Sequence, residues 1–101
     1  MLASHAFKPL RLSTQRVSVG ATVSTVTLAA NALDITVWID NRGSTDVMVE
    51  VGAVNPTDTT SFPIPAMTSQ PIGLGQEREL RLKRPAGSSA AEVIVTPGEG
   101  M

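Results

Sequence analysis

His5 is the sole imidazole in a chain of 101 residues that contains neither cysteine nor tyrosine. Imidazole titrates near neutral pH and is the side chain best suited to proton transfer there. One imidazole with no thiolate or second histidine completes neither a nucleophile–base pair nor a metal set. Among the acids, Asp34 and Asp40 fall on one face of an extended run. Six residues at ~3.3 Å each separate them by roughly 20 Å, too far to act across one bond. Glu77 and Glu79 are closer, but they interleave with Arg78 and share a face with Arg81 and Lys83, the pattern of a charge-balanced strand face. Gly73-Leu74-Gly75 echoes a phosphate-binding glycine loop but lacks the helix and lysine that such a loop needs. Trp38 supplies one aromatic plane, whereas a sugar platform uses several. A position against another sheet or subunit is the expectation for it. These residue sets predict no enzyme, no cofactor and no metal.

The elements that must carry these residues read as strands. Val, Ile and Thr contribute 11, 5 and 11 residues, and Ser, Gly and Pro another 9, 8 and 7. This mixture of strand formers and turn formers is that of an all-β domain. Arg16 to Leu28 is extended, with a bend expected at Gly20. Leu33 to Asp40 alternates most clearly, with Leu33, Ile35, Val37 and Ile39 on one face. The turn cluster Asn41-Arg42-Gly43-Ser44-Thr45 leads to Val47, Val49 and Val51, which reads as an antiparallel hairpin with a longer loop. Phe62-Pro63-Ile64-Pro65 cannot be a central strand, since each proline lacks an N–H; it fits an edge, with Phe62 and Ile64 closing the end of the core. Met67 to Gly75 is a further extended stretch, interrupted by Pro71. In Gln76 to Arg84, Leu80 and Leu82 point one way, with Arg78 and Arg84 in phase at the rims. Ala91, Val93 and Val95 form the last alternation. The sum is a single antiparallel β-sandwich, jelly-roll-like, of about seven short strands at 17–101, behind an extended N-terminal arm at 1–16. The absence of βαβ alternation excludes a parallel α/β sheet.

Charge and size bound the partners. Eight basic and nine acidic residues leave a net charge of −1, so there is no footprint for nucleic acid. No apolar window is long enough for a transmembrane helix, and no signal-like apolar run opens the chain, so no membrane partner or export is expected. Phe7, Trp38 and Phe62 are the only aromatic residues, so the core must be built from Val, Ile and Leu. A thin core gains stability by docking or self-association, and a dimer or trimer is expected. The arm carries Lys8, Arg11 and Arg16 without an acid, and Phe7, Leu10 and Leu12 as apolar anchors, as a segment that orders on an acidic partner surface would.

The order of motifs from Leu33 onward resembles a known group. Leu33-Asp34-Ile35-Thr36-Val37-Trp38-Ile39 precedes Asn41-Arg42-Gly43-Ser44. Val47-Met48-Val49-Glu50-Val51-Gly52 and Phe62-Pro63-Ile64-Pro65-Ala66 follow, and the chain ends Val93-Ile94-Val95-Thr96-Pro97-Gly98-Glu99-Gly100-Met101. This resembles small β-sandwich structural proteins of tailed bacteriophages, especially capsid decoration (cement) proteins. The likeness covers about two thirds of the chain, and its most distinctive part is the ending. It implies a non-enzymatic virion protein, made in the host bacterial cytoplasm, that binds the major capsid protein on the outer head surface and stabilises the lattice. Partner contacts are then expected at Phe7, Lys8, Arg11 and Arg16 in the arm, at Trp38, and at Glu77, Glu79, Arg81 and Lys83. A tail or head–tail connector component, or a carbohydrate- or cell-surface-binding module, are the alternatives. The Thr-rich tract Thr57–Ser61 has no role in this scheme.

Overall fold

The computed structural model describes residues 8–9, 13–28 and 35–99. Nine strands lie among them: β1 (Lys8–Pro9), β2 (Gln15–Val19), β3 (Ser24–Thr27), β4 (Ile35–Asn41), β5 (Val47–Val51), β6 (Phe62–Ile64), β7 (Ser69–Gly75), β8 (Glu79–Lys83) and β9 (Ala91–Glu99). They form two antiparallel sheets packed face to face, an all-β sandwich. Sheet A runs β7-β4-β9, with β2 and β1 following one another along the far side of β9. Sheet B runs β3-β8-β5-β6. The stretch 16–28 divides into two strands in different sheets at a bend over residues 20–23, and Lys8–Pro9 adds a short strand. Both raise the count above seven. Gln15 and Arg16, the end of the expected arm, belong to β2.

Alternation decides which faces meet. In β4, Ile35, Val37 and Ile39 are fully buried; in β8, Leu80 and Leu82; in β9, Val93 and Val95. With Val19, Val26, Leu28, Val47, Val49, Ile64 and Leu74 they make one cluster, aliphatic throughout. Full burial of one such side chain is worth about 1.5–3 kcal/mol, so a core without rings still holds two sheets together. Phe62 does not join it. It stays 49% exposed, whereas Ile64, on the same face, is fully buried. Both residues lie on β6, where Phe62 opens the strand next to the loop 53–61 and Ile64 stands opposite the fully buried Val47.

Two further expectations are corrected. β4 and β5 are not a hairpin: β4 pairs with β7 and β9, and β5 with β6 and β8. Residues 42–46 cross from one sheet to the other, and from β2 onward every connection crosses except β5–β6. Arg84 is not at a rim but has no exposed surface. Its Nε donates to Val19 O (3.0 Å), its Nη1 to Thr45 O (2.6 Å) and Thr45 Oγ1 (3.2 Å), and its Nη2 to Asn41 Oδ1 (2.9 Å). Asn41 completes the knot by donating from Nδ2 to Thr45 O, Ile64 O and Pro65 O and accepting from the Gly43 N–H. Neutral oxygens thus surround a buried cation. Burial pushes its pKa below the ordinary arginine value, and the planar fork satisfies what desolvation removes. Gly43 is required there because a Cβ would lie 2.3–2.6 Å from three guanidinium atoms.

Candidate interaction surface

The expected partner-binding residues fall on two opposite faces. Arg16 and Trp38 lie on the outward face of sheet A, on β2 and β4. Glu79, Arg81 and Lys83 lie on the outward face of sheet B, on β8, with Glu77 exposed in the turn before it. Lys8 is in β1, and Phe7 and Arg11 lie outside the described residues. No single surface therefore gathers the set.

The chain's own loop engages the charges of sheet B. Residues 53–61 fold back over β8 and β5. The Lys83 Nζ donates to Asp58 Oδ1 at 2.5 Å, and the other Asp58 oxygen accepts the Ala86 N–H at 3.1 Å. Arg81 donates from Nη1 to Asn55 Oδ1 (2.5 Å) and from Nε to Glu79 Oε2 (2.7 Å). Ser61 Oγ donates to Glu50 Oε2 (2.6 Å) and accepts the Thr57 N–H (2.9 Å). Thr57 in turn holds the Thr60 N–H. The Thr-rich tract is thus a laced turn that seats Asp58 on Lys83, whose side chain is only 14% exposed. The lysine contact and the Ala86 N–H hold the Asp58 carboxyl below its usual pKa. Met48 shares this outward face, between Lys83 and Pro63 in the register, and is buried.

The outward face of sheet A differs. Its register sets Trp38 between Thr96 of β9 and Pro71 of β7, Thr36 between Gly98 and Gly73, and Asp40 between Ile94 and Ser69. Thr14 extends the Trp38 row through a 3.2 Å hydroxyl contact with Thr96. Beside the half-buried indole, Thr36, Pro71, Gly73, Thr96 and Gly98 bring small or β-branched residues to this face. Its charges cancel in two exposed pairs, Arg16–Glu92 (3.3 Å) and Arg42–Asp40 (2.9 Å). A shallow open groove of about 390 Å³ runs beside the first pair, lined by Arg16, Val17, Ser18, Ala90, Ala91 and Glu92. Arg16 and Trp38 share this face with β9 between them. Pro71, Ile94 and Thr96 belong to it too, but their sequence positions carry no sign of that, because only the β4–β9 and β4–β7 registers bring them beside Trp38.

Among the described residues, no group of three or more His, Asp or Glu side chains is placed to hold a metal ion, and no helix is long and apolar enough to cross a membrane. Comparison with protein-family models, curated proteins and solved structures found no match.

Proposed function

We propose that this chain is a non-enzymatic structural protein of a tailed-bacteriophage virion, a capsid decoration protein that docks on the outer head surface. The residue order from Leu33 to Met101 suggests the class. The observation that carries the docking mode is the contrast between the two sandwich faces. On sheet B, residues 53–61 engage Glu50, Arg81 and Lys83, whereas on sheet A the charges pair within the face itself, as Arg16–Glu92 and Arg42–Asp40 around Trp38. Surfaces that bind other proteins are commonly enriched in tryptophan and arginine and bordered by polar groups. In this role the sandwich face lies on the major capsid protein, and the basic segment before β2 extends the contact.

The test is the copy number of the chain in purified virus particles, by quantitative mass spectrometry. Hundreds of copies per particle support a protein spread across the head lattice. A few dozen or fewer move the reading to a tail or connector component. Absence from particles removes the virion reading and leaves a surface-binding module, for which loss of glycan retention in Trp38→Ala is the mark. On the capsid reading, Trp38→Ala weakens particle binding under conditions where circular dichroism shows the variant still folded.

A further inference from the structure

Free sheet edges are hazards, because unpaired N–H and C=O groups template pairing with another copy. In an antiparallel ladder, residues that face one neighbour with their backbone groups alternate with residues that face the other way. Four hydrogen bonds fix that phase throughout this sandwich. The Asn41 N–H donates to Thr68 O (2.9 Å), and the register continues as Ile39 opposite Gln70 and Val37 opposite Ile72. Ser69, Pro71 and Gly73 therefore turn their backbone groups away from β4, toward the edge of sheet A, where no other described strand pairs with β7. The Gly52 N–H donates to Glu79 O (2.8 Å), so Met48 and Glu50 face β8, and Val47 and Val49 face Ile64 and Phe62. Pro63 then falls at the outward position of β6, and Pro65 follows in the same phase. The Arg42 N–H donates to Glu92 O (3.1 Å). Gly98 accordingly faces β4, Glu99 faces Lys8, and Pro9 is outward on β1.

The remaining edges, β2 and β3, lie beside each other and are closed differently. The Leu28 N–H bonds to Arg78 O (2.7 Å), which leaves Thr25 and Thr27 outward on β3. The Gln15 side-chain amide donates to Thr27 O (3.0 Å), and the Ser24 hydroxyl reaches Ser18 O at 3.5 Å. Each edge strand without such a side-chain cap thus carries a proline where an incoming strand would need an N–H. A proline ring there also occupies the space of the incoming carbonyl.

We propose that Pro9, Pro63 and Pro71 are edge guards that block strand-by-strand pairing with a second copy, and that Pro71 at the middle of β7 is the decisive one. β7 is the longest of the edge strands, at seven residues. It carries no charge and leaves open space beside Gly73. With an N–H restored at position 71, β7 becomes self-complementary. Two copies related by a two-fold axis at that position exchange a reciprocal pair of bonds there and another at each Ser69–Gly73 pairing. The guard confines association to the faces of the sandwich. The inference rests on register alone and stands whatever the chain docks on.

The experiment compares the full chain with Pro71→Thr by analytical ultracentrifugation over a dilution series. Circular dichroism and Trp38 emission verify the fold. Pro71→Thr is expected to show at least twice the mass of the parent species, falling back on dilution. The variant Pro71→Thr/Gly73→Pro places a ring at the neighbouring outward position and is expected to return to the parent mass. Unfolding-driven aggregation would instead worsen with the second substitution. An unchanged mass for Pro71→Thr overturns the proposal, as does assembly that persists in the double variant.

Discussion

Gly43→Ala tests the buried arginine knot most sharply. A Cβ there would lie 2.3 Å from Arg84 Nη2, 2.5 Å from Cζ and 2.6 Å from Nη1. These distances are well inside van der Waals contact, so the guanidinium must move. It is held by four hydrogen bonds to Val19, Asn41 and Thr45, and a shift large enough to admit a methyl group breaks at least the Nη1 and Nη2 contacts. Hydrogen bonds with one charged partner are worth about 1.5–3 kcal/mol each. Gly43→Ala is therefore expected to cost about 3 kcal/mol or more, a large share of the roughly 5–15 kcal/mol that stabilises a domain. Arg84→Met removes the same bonds without a clash. It leaves Thr45 O still bonded to Asn41 Nδ2, and Asn41 Oδ1 to the Gly43 N–H, so its cost is also about 3 kcal/mol. The two losses are one loss counted twice. In the double variant the clashing atoms are gone, and Gly43→Ala is expected to add less than about 1 kcal/mol, for a coupling of about 2–3 kcal/mol. Urea unfolding followed by the single tryptophan, Trp38, reads all four corners of the cycle. Additivity within about 0.5 kcal/mol would refute the argument, because Gly43 would then serve something other than the guanidinium.

Three further outcomes follow from the same geometry. Lys83 and the Ala86 N–H lower the pKa of Asp58 in the folded chain. Its stabilising contribution is therefore complete above the unfolded carboxyl value near ~3.9 and is lost as pH falls through the lower folded value. Asp58→Asn should flatten that acid limb, and a limb unchanged in a series of urea midpoints against pH would contradict this. Ile64→Ala, which empties a fully buried site, should cost about 2–5 kcal/mol. Phe62→Ala, despite the larger side chain, should cost clearly less by the same unfolding assay. Arg16→Ala breaks an exposed pair with Glu92 and should change stability by less than about 1 kcal/mol; a larger loss would mean that the pair supports the β2–β9 ladder.

The sandwich was legible because its inward positions alternate so cleanly in β4, β8 and β9. The partners of those strands were not. Five turn residues between two alternating runs suit a hairpin, but they also suit a crossing between sheets. Both flanks of β4 are taken by strands distant in sequence, β7 and β9. Nothing within residues 35–51 encodes that competition. Arg84 shows a related limit. Its phase with Leu80 and Leu82 pointed it inward correctly, and its charge argued it back to a rim. The acceptors that reconcile the two come from Val19, Asn41 and Thr45, on three other segments.

The same reasoning decides how the charged strand β8 should be regarded. Glu79, Arg81 and Lys83 alternate as a solvated face or a partner-binding face would, and composition does not distinguish the two. What distinguishes them is where the complementary groups reside. Asn55 and Asp58, 26 and 25 residues before their partners, supply those groups from within the chain, and the tract 57–61 is bonded internally to hold Asp58 there. An outside ligand for Arg81 and Lys83 would have to displace contacts that a short loop re-forms at little entropic cost. The proposed docking on the face of sheet A leaves those contacts of Arg81 and Lys83 in place. The exposed pairs of that face, Arg16–Glu92 and Arg42–Asp40, are each neutral, and threonine, proline and glycine occupy outward positions beside Trp38. The feature that looks most like a site in the sequence is thus the one the fold occupies itself, and the proposed docking surface is the other face, around Trp38.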